Sequence, residues 1–167
     1  MMLRNFAVFG FYILTVFWAT ASLAQSTSVA FGSIKQDTDA PVEVSADQLA
    51  VNQEDGSALF TGNVVIGQGE MRLSAPKVLV IYKKGQTGIE RLEATGGVTL
   101  VSGPDAAESE RADYDIDDGT VLMRGNVLLT QGPNAMTSER MTVNLDDGTA
   151  QMVGRVRTVL QPSSDNN

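Results

Sequence analysis

Apolar and polar residues alternate along four similar segments between residues 41 and 160. Each segment contains a glycine that is followed two positions later by an apolar residue, and these glycines are Gly62, Gly96, Gly125 and Gly154. Because successive side chains of a strand point to opposite faces, the alternation predicts strands with one sheltered face and one wet face. We find no convincing run of apolar residues at helical spacing in this region, so the sequence predicts an all-β fold.

A second alternating segment precedes each glycine-bearing segment, and a turn sequence separates the two. Three of these turns contain Asp-Gly, at Asp55-Gly56, Asp118-Gly119 and Asp147-Gly148. Asp-Gly between alternating strands is a strong hairpin signal, because glycine accepts the positive φ that the turn requires. The sequence therefore predicts about four strand-turn-strand repeats, which bury their apolar faces against one another in an elongated sandwich or jellyroll-like solenoid.

The four repeated glycines predict a bend in the sheet. Glycine inside a strand marks a bend, a bulge or a close approach of two backbones. Since the glycines hold equivalent positions in the repeats, we expect them at one level along the stack. A bend at that level would turn a flat sandwich into a trough.

The composition excludes much ordinary enzymology. The chain has 167 residues, no cysteine, no histidine and a formal net charge of −8. Thiol nucleophiles, disulfides and the commonest metal ligands are therefore missing from the sequence. The acidic balance disfavours nucleic acid, whose phosphates are neutralised by clustered Lys and Arg. We expect no metal, no cofactor and no nucleic-acid partner.

Three short patterns resemble catalytic or metal motifs. The acidic residues offer carboxylate pairs for a lyase or hydrolase, but most of them fall in turns, where Asp bonds to the local backbone. The run that begins at Asp113 resembles a calcium loop, yet Arg124 stands where that loop needs a glutamate. Ser74-Ala-Pro-Lys77 matches a Ser-x-x-Lys motif that requires a helix, whereas here it lies in a predicted strand. We interpret all three as strand and turn residues and expect no enzyme.

The N-terminal region carries the pattern of an export signal. Arg4 is followed by an apolar run and then by small residues that end at Ala24, which predicts a signal peptide at residues 1–24. An uncleaved membrane anchor is the alternative, because the run is almost long enough to span a bilayer. Residues 25–40 are predicted to be a polar lead-in, residues 41–160 the β domain and residues 161–167 a disordered tail.

The repeats also resemble a known family. Val42-Glu-Val-Ser-Ala-Asp-Gln-Leu49, Ala58-Leu-Phe-Thr-Gly-Asn-Val64, Ser109-Glu-Arg-Ala-Asp-Tyr114 and Arg124-Gly-Asn-Val127 look like the OstA-like family of lipopolysaccharide transport, and among its members the periplasmic bridge component. The resemblance covers roughly residues 41–160. It implies a β-jellyroll shaped like a folded, twisted V with a lipid-binding interior, in a periplasmic protein.

The resemblance also implies partners. Family members stack head to tail by edge-strand addition and join an LptC-like inner-membrane component to an LptD-like outer-membrane translocon. The implied ligand is lipopolysaccharide, with the acyl chains of lipid A inside the groove and its sugars outside. An acyl chain of about a dozen methylenes gains on the order of 10 kcal/mol when fully sheltered, so apolar cover alone would suffice to hold it.

The residues expected to line the lipid-binding groove are the apolar ones on the predicted inward face. A closed core formed by the same side chains is the alternative, since most alternating faces pack against each other. The set comprises Leu49, Val51, Phe60, Val64, Ile66, Val78, Val80, Val98, Leu100, Tyr114, Ile116, Met123, Val127, Leu129, Val143, Leu145, Met152 and Val156.

Two other functions remain open on sequence alone. One is a membrane-anchored LptC-like component of the same pathway, which shares the fold. The other is a structural or adhesive β-solenoid that carries no ligand.

Overall fold

The computed structural model describes residues 27–32, 39–85 and 87–161. The predicted signal peptide at residues 1–24 and residues 162–167 of the predicted tail lie outside these ranges. Within them no helix is long and apolar enough to cross a membrane. The described residues form eleven strands: β1 Thr27–Ala30, β2 Glu43–Ser45, β3 Gln48–Asn52, β4 Ser57–Gln68, β5 Met71–Tyr82, β6 Ile89–Ser102, β7 Asp105–Asp115, β8 Thr120–Gln131, β9 Asn134–Asn144, β10 Thr149–Val153 and β11 Arg157–Val159.

All strands pair antiparallel in one sheet of order β1-β10-β9-β8-β7-β6-β5-β4-β2. Both β2 and β3 pair with β4, and both β10 and β11 pair with β9, so each of these pairs acts as one interrupted strand. The predicted all-β fold of about four strand-turn-strand repeats is therefore confirmed. The repeats are β2/β3 with β4, β5 with β6, β7 with β8, and β9 with β10/β11.

The long strands β4, β6 and β8 are each bent near the middle by a β-bulge. The register shifts between Thr61 and Val64 in β4, and at the equivalent positions of β6 and β8. Two residues of the bulged strand there oppose a single residue of its neighbour, which bends the strand. All four predicted glycines lie at this level with positive φ, from 78° at Gly62 to 96° at Gly96.

In three of the four repeats, the residue after the glycine is held in place by the preceding strand. The Asn63 Nδ2 donates a hydrogen bond to Asp47 Oδ2 at 2.8 Å, and Asn126 Nδ2 donates to Glu110 Oε1 at 2.6 Å. In the second repeat the glycine is followed by Gly97, and Pro76 takes the place of the acidic residue. Both asparagines have positive φ, which they tolerate better than most residues. The bend is therefore built from the same kind of local contact in three of the four repeats.

The bend divides the sheet into two parts that we call the first arm and the second arm. The first arm comprises residues 48–61, 77–95, 111–124 and 140–153, and the second comprises residues 43–45, 64–75, 98–109, 127–138 and 157–159. The Tyr114 hydroxyl of the first arm donates a hydrogen bond to the Gln68 side-chain oxygen of the second arm. In a flat sheet these residues would lie about 30 Å apart, so the sheet must fold back on itself.

The core lies between the two facing arms. Strands β5, β7 and β9 alternate buried and exposed residues on both sides of the bend. Two consecutive exposed residues interrupt the alternation at the bend, for example Glu110 and Arg111 in β7. This shift keeps the apolar residues on the inside of both arms, and they form a single buried cluster.

Strand β1 was not predicted from the sequence. It lies in the predicted polar lead-in, pairs with β10 at one end of the sheet, and is followed by Phe31, whose side chain is 1% exposed in the core. The chain then reaches β2 at the opposite end of the sheet. The lead-in therefore contributes both an edge strand and a core residue.

Candidate functional site

The apolar interior between the arms contains most of the residues predicted for the lipid-binding groove. Thirteen of them are at most 2% exposed: Val64, Ile66, Val78, Val80, Val98, Leu100, Tyr114, Met123, Val127, Leu129, Val143, Leu145 and Met152. Phe60, Ile116 and Val156 are partly buried and pack against this cluster. These sixteen side chains lie together in one continuous interior that runs along the stack.

Leu49 and Val51 differ from the rest of the predicted set, because they are 56% and 63% exposed. Leu49 pairs directly with Phe60, and Val51 with Ala58. Directly opposite residues of an antiparallel pair share one face, so both side chains stand on the inward face. They are exposed because β3 forms an end of the sheet and, among the described residues, has a strand on one side only.

Sequence reasoning missed interior residues at the start of the second-arm strands. Met71, Leu73 and Ala75 of β5 are at most 7% exposed, and Ala107 and Met136 occupy similar positions in β7 and β9. The predicted strands began near Ser74, Ser109 and Ser138, so these residues were left outside them. The alternation Met71-x-Leu73-x-Ala75 was the available signal.

Methionine is concentrated in the interior. All five methionines of the described ranges lie in the core, at exposures of 0% for Met71, Met123, Met141 and Met152 and 6% for Met136. Methionine has an unbranched, flexible side chain that adapts to irregular neighbours. The interior is filled by the protein's own side chains in this structure, and those side chains are of a kind that can rearrange.

The two ends of the sheet differ. At one end β2 and β3 are the outermost strands, and β3 is exposed along its whole length. At the other end β10 is covered by β1, whereas β11 is exposed, with Val159 55% exposed and the next residue, Leu160, 70% exposed. Exposed edges present unpaired backbone groups that can accept another strand. Both strands at one end, β2 and β3, can therefore accept another strand, whereas at the other end only β11 can.

The comparisons with known proteins identify the family. Residues 43–149, more than half of the chain, match the model of the family described as LptA/(LptD N-terminal domain) LPS transport protein. The chain belongs to this family. The predicted resemblance to OstA-like proteins of lipopolysaccharide transport is confirmed.

Relatives in the LptA/LptD N-terminal family are of moderate similarity. An uncharacterized protein of Rhizobium meliloti is 32% identical over 114 residues, which make up 64% of this chain and 61% of that protein. The lipopolysaccharide export system protein LptA of Escherichia coli is 32% identical over 76 residues, 46% of this chain and 41% of that protein. The protein of the same name from Haemophilus influenzae is 34% identical over 82 residues, 48% of this chain and 46% of that protein. The matches thus span between 41% and 61% of these curated relatives.

A solved structure supports the fold assigned to this family member. LptH of Pseudomonas aeruginosa, described as the LptA homologous periplasmic component of a lipopolysaccharide transport device, superposes with a TM-score of 0.67. The match covers 76% of this chain and 99% of that chain at 19% identity. This likeness confirms the predicted β-jellyroll.

The mouth of the jellyroll, opposite the bend, is lined by polar side chains in this family member. At the mouth, the inward faces of β4, β6 and β8 end in polar residues, namely Gln68, Ser102 and Gln131. Burial raises the pKa of Tyr114 to about 12, with a smaller effect from the negative charge of Asp146. Because Tyr114 stays neutral in ordinary buffers, its hydroxyl can bond to Gln68 across the mouth. The interior is therefore mostly apolar, with Ser109 and Ser138 buried near the bend, and a hydrogen bond closes it at the rim.

Clefts that open to solvent lie outside this interior. One of about 500 Å³ opens beside the bend between β8 and β9 and is lined by Gly125, Asn126, Val127, Leu128, Thr137, Ser138, Glu139 and Arg155. Its exposed part carries the ion pair between Arg155 and Glu139, at 2.6 Å. This cleft is mixed in polarity, and of the predicted groove residues only Val127 lines it.

Proposed function

We propose that this protein is a periplasmic component of lipopolysaccharide transport, without enzymatic activity, that shelters the acyl chains of lipid A between the two arms. The observation that carries the proposal is the continuous apolar interior from Val64 and Ile66 in β4 to Met152 in β10, in a chain of the LptA/LptD N-terminal family. This interior has the length of the whole stack and ends at strand edges. A passage for hydrocarbon tails needs both properties.

The closed interior determines how a lipid would enter. The arms are continuous at the bend, so they can part only at the mouth, where their contacts include the bond between Tyr114 and Gln68. Opening exchanges these hydrogen bonds for water contacts, and the net cost is about 1 kcal/mol for each bond. An acyl chain of about a dozen methylenes gains on the order of 10 kcal/mol when sheltered. The gain exceeds the cost of breaking these bonds. The chain also has to replace the apolar contacts that the arms lose, and the flexible methionines allow the core to repack around it.

The polar rim suits a ligand with an apolar and a polar part. The acyl chains would lie against Val127, Leu129 and their neighbours, while the sugars would stay outside the mouth. Gln68 and Gln131 lie at the boundary between these two environments. Amide side chains there can bond to the amide and ester groups that link acyl chains to sugars.

The exposed edges support a bridging role. Strand addition at β2/β3 and at β11 would extend the sheet and its interior in both directions, toward an LptC-like partner, an LptD-like partner or another copy. We further propose that the signal at residues 1–24 is removed, which frees the protein to span the periplasm.

Native mass spectrometry of the protein extracted from cell envelopes tests this function. We expect a bound species with the mass of lipopolysaccharide, which is lost when the protein is unfolded. The matched control is a β-sandwich protein of similar size exported to the same compartment. Protein that is reproducibly empty under conditions that preserve other lipid complexes would contradict lipid transport and favour a structural role.

A further inference from the structure

Strand β1 occupies the position that a second copy of this chain would need for head-to-tail addition. It pairs with β10 through four residues, from Thr27 opposite Met152 to Ala30 opposite Thr149. Its inward-facing residues are Thr27 and Val29, opposite Met152 and Ala150. The edge of β10 is therefore already filled by the protein itself.

The register of the sheet shows which strand matches the same position. When the directly paired residues are traced across the sheet from β3 to β10, Leu49 lies in the same row as Met152, and Val51 lies in the same row as Ala150. Seven antiparallel steps separate β3 from β10, so β3 of a copy stacked end to end runs antiparallel to β10. In that stack Leu49 takes the place of Thr27 and Val51 the place of Val29.

The exchange would cover apolar surface that is otherwise open. Leu49 and Val51 are 56% and 63% exposed. Each side chain is larger than or as large as the one that it would replace on β1. The β3 strand of a second copy therefore offers β10 a better apolar partner than β1 does.

Contacts beyond β1 close the same end of the interior. The Phe31 N–H donates to the Gly148 oxygen at 2.8 Å, and the buried ring fills the interior beside it. The Gly32 N–H donates to Asp105 Oδ2 at 2.8 Å on the second arm, and Gln131 Nε2 donates to the Ala30 oxygen at 2.8 Å. Residues 27–32 thus cover one edge and tie the two arms together there.

The second-arm half of this end is left open. In the described part of the chain, β11 pairs with β9 alone. By the same register, Val44 of β2 is level with Thr158 of β11. Glu43 of an incoming copy would then lie diagonally across from Arg157, a favourable charge pair. The incoming β2 can dock on β11 before β1 leaves.

We propose that residues 27–32 form an internal cap, which blocks head-to-tail assembly and closes the interior until the β2/β3 edge of a second copy displaces it. This inference rests on the proposed function, since it names how the bridging edge is regulated. The order of events is docking of β2 on β11, followed by replacement of β1 by β3. Withdrawal of Phe31 then joins the interiors of the two copies.

A disulfide that fixes β1 on β10 tests the cap. Residue pairs along an antiparallel ladder alternate between hydrogen-bonded and non-hydrogen-bonded pairs. Because Phe31 and Gly148 form a hydrogen-bonded pair, Ser28 and Gln151, three positions along, form a non-hydrogen-bonded pair. The Cα atoms of such a pair lie about 4.5 Å apart, which is within the range of a disulfide. The chain has no cysteine of its own, so S28C/Q151C makes a single defined crosslink. The control is L122C/T142C, an outward-facing pair between β8 and β9.

We expect oxidised S28C/Q151C to stay monomeric at concentrations where the wild type and the oxidised control form head-to-tail oligomers, and reduction to restore assembly. V29P, which removes an N–H directed at β10, should assemble at a concentration about fivefold lower than the wild type. Oligomers of the oxidised locked protein would overturn the cap, as would monomers of both the wild type and V29P at every concentration. Bound lipopolysaccharide is measured on the same samples. If the samples bind lipid but the oxidised locked protein assembles like the wild type, the cap alone is rejected. If no sample contains lipid, the proposed function is rejected.

Discussion

Glu110 lies against Gly125 at the bend, where a Cβ on the glycine would stand 2.5 Å from Glu110 Oε2. Gly125 has a φ of 82°, and the neighbouring Asn126 donates a hydrogen bond to the same carboxylate. The glycine therefore serves two purposes, because it permits the left-handed backbone and leaves room for the acidic side chain. The same arrangement recurs with Gly154 and Glu139, where the distance is 2.6 Å.

Replacing Gly125 with alanine should destabilise the fold strongly. The new methyl group adds a steric clash to the backbone strain, so we expect the free energy of unfolding to fall by about 3 kcal/mol. Gly132→Ala is the matched control, since Gly132 has a φ of 55° and no atom of the described residues lies within 4 Å of the place that an added methyl group would take. It should cost only about 1 kcal/mol, from the backbone strain alone. Equal losses in urea unfolding would show that Glu110 does not restrict the position.

The buried hydroxyl of Tyr114 should make stability depend on pH above neutrality. The pKa of Tyr114 is raised to about 12 in the folded protein, chiefly by burial, whereas the unfolded chain titrates near 10. The neutral form is thus favoured by folding, so its contribution is fully present below pH 10 and is lost as the pH rises toward 12. Between these values we expect a loss of about 1 to 3 kcal/mol.

Tyr114→Phe tests the origin of this pH dependence. The variant should lose about 1 kcal/mol at pH 7, with the hydrogen bond to Gln68, and should show a flatter decline between pH 10 and 12. Tyr82→Phe changes an exposed tyrosine and should leave the decline of the wild type in place. A decline that is unchanged in Tyr114→Phe would assign the effect to other groups.

Three arginines face one another directly on the outer surface of the first arm. Arg124 is opposite Arg111 on one neighbouring strand and opposite Arg140 on the other. Like charges in such positions repel, and Asp113 offsets them with an ion pair of 2.9 Å to Arg124. We expect Asp113→Asn to lower the free energy of unfolding by about 1 kcal/mol at low salt and by less at high salt.

Glu93→Gln is the control for this charge effect. Glu93 is directly opposite Asp113, and its ion pair of 2.9 Å is with Arg91 rather than with one of the three opposed arginines. The Glu93→Gln substitution should lower the free energy of unfolding by less than Asp113→Asn does. If both variants lost the same stability at every salt concentration, repulsion among the arginines would not be the cause.

Ligand binding should stabilise the protein according to the number of its acyl chains. A ligand that binds only the folded state adds about 2.7 kcal/mol at a concentration of one hundred times its Kd. We therefore expect lipid A to raise the Tm and the matching core saccharide without acyl chains to leave it unchanged. A rise with the saccharide alone would place recognition outside the interior.

The sequence predicted the repeats and the bend because both depend on local signals. Asp118-Gly119 specifies a turn through its own backbone preference, and Gly125 marks the bulge in the same way. Alternation also placed Leu49 on the inward face, but it could not predict its exposure, which depends on whether another strand lies beyond β3. The segment Thr27–Ala30 was missed because it is short and pairs with residues 149–152 at the far end of the chain. Neighbouring residues give no signal for such a contact.

Photo-crosslinking at adjacent leucines tests the central claim most directly. Leu129 is completely buried between the arms, while Leu128 is partly exposed on the opposite face of the same strand. With a photoreactive amino acid at each position in turn, in cells, we predict a crosslink to lipopolysaccharide from position 129 and none from position 128. Lipopolysaccharide captured equally at both positions, or only at position 128, would contradict transport through the interior.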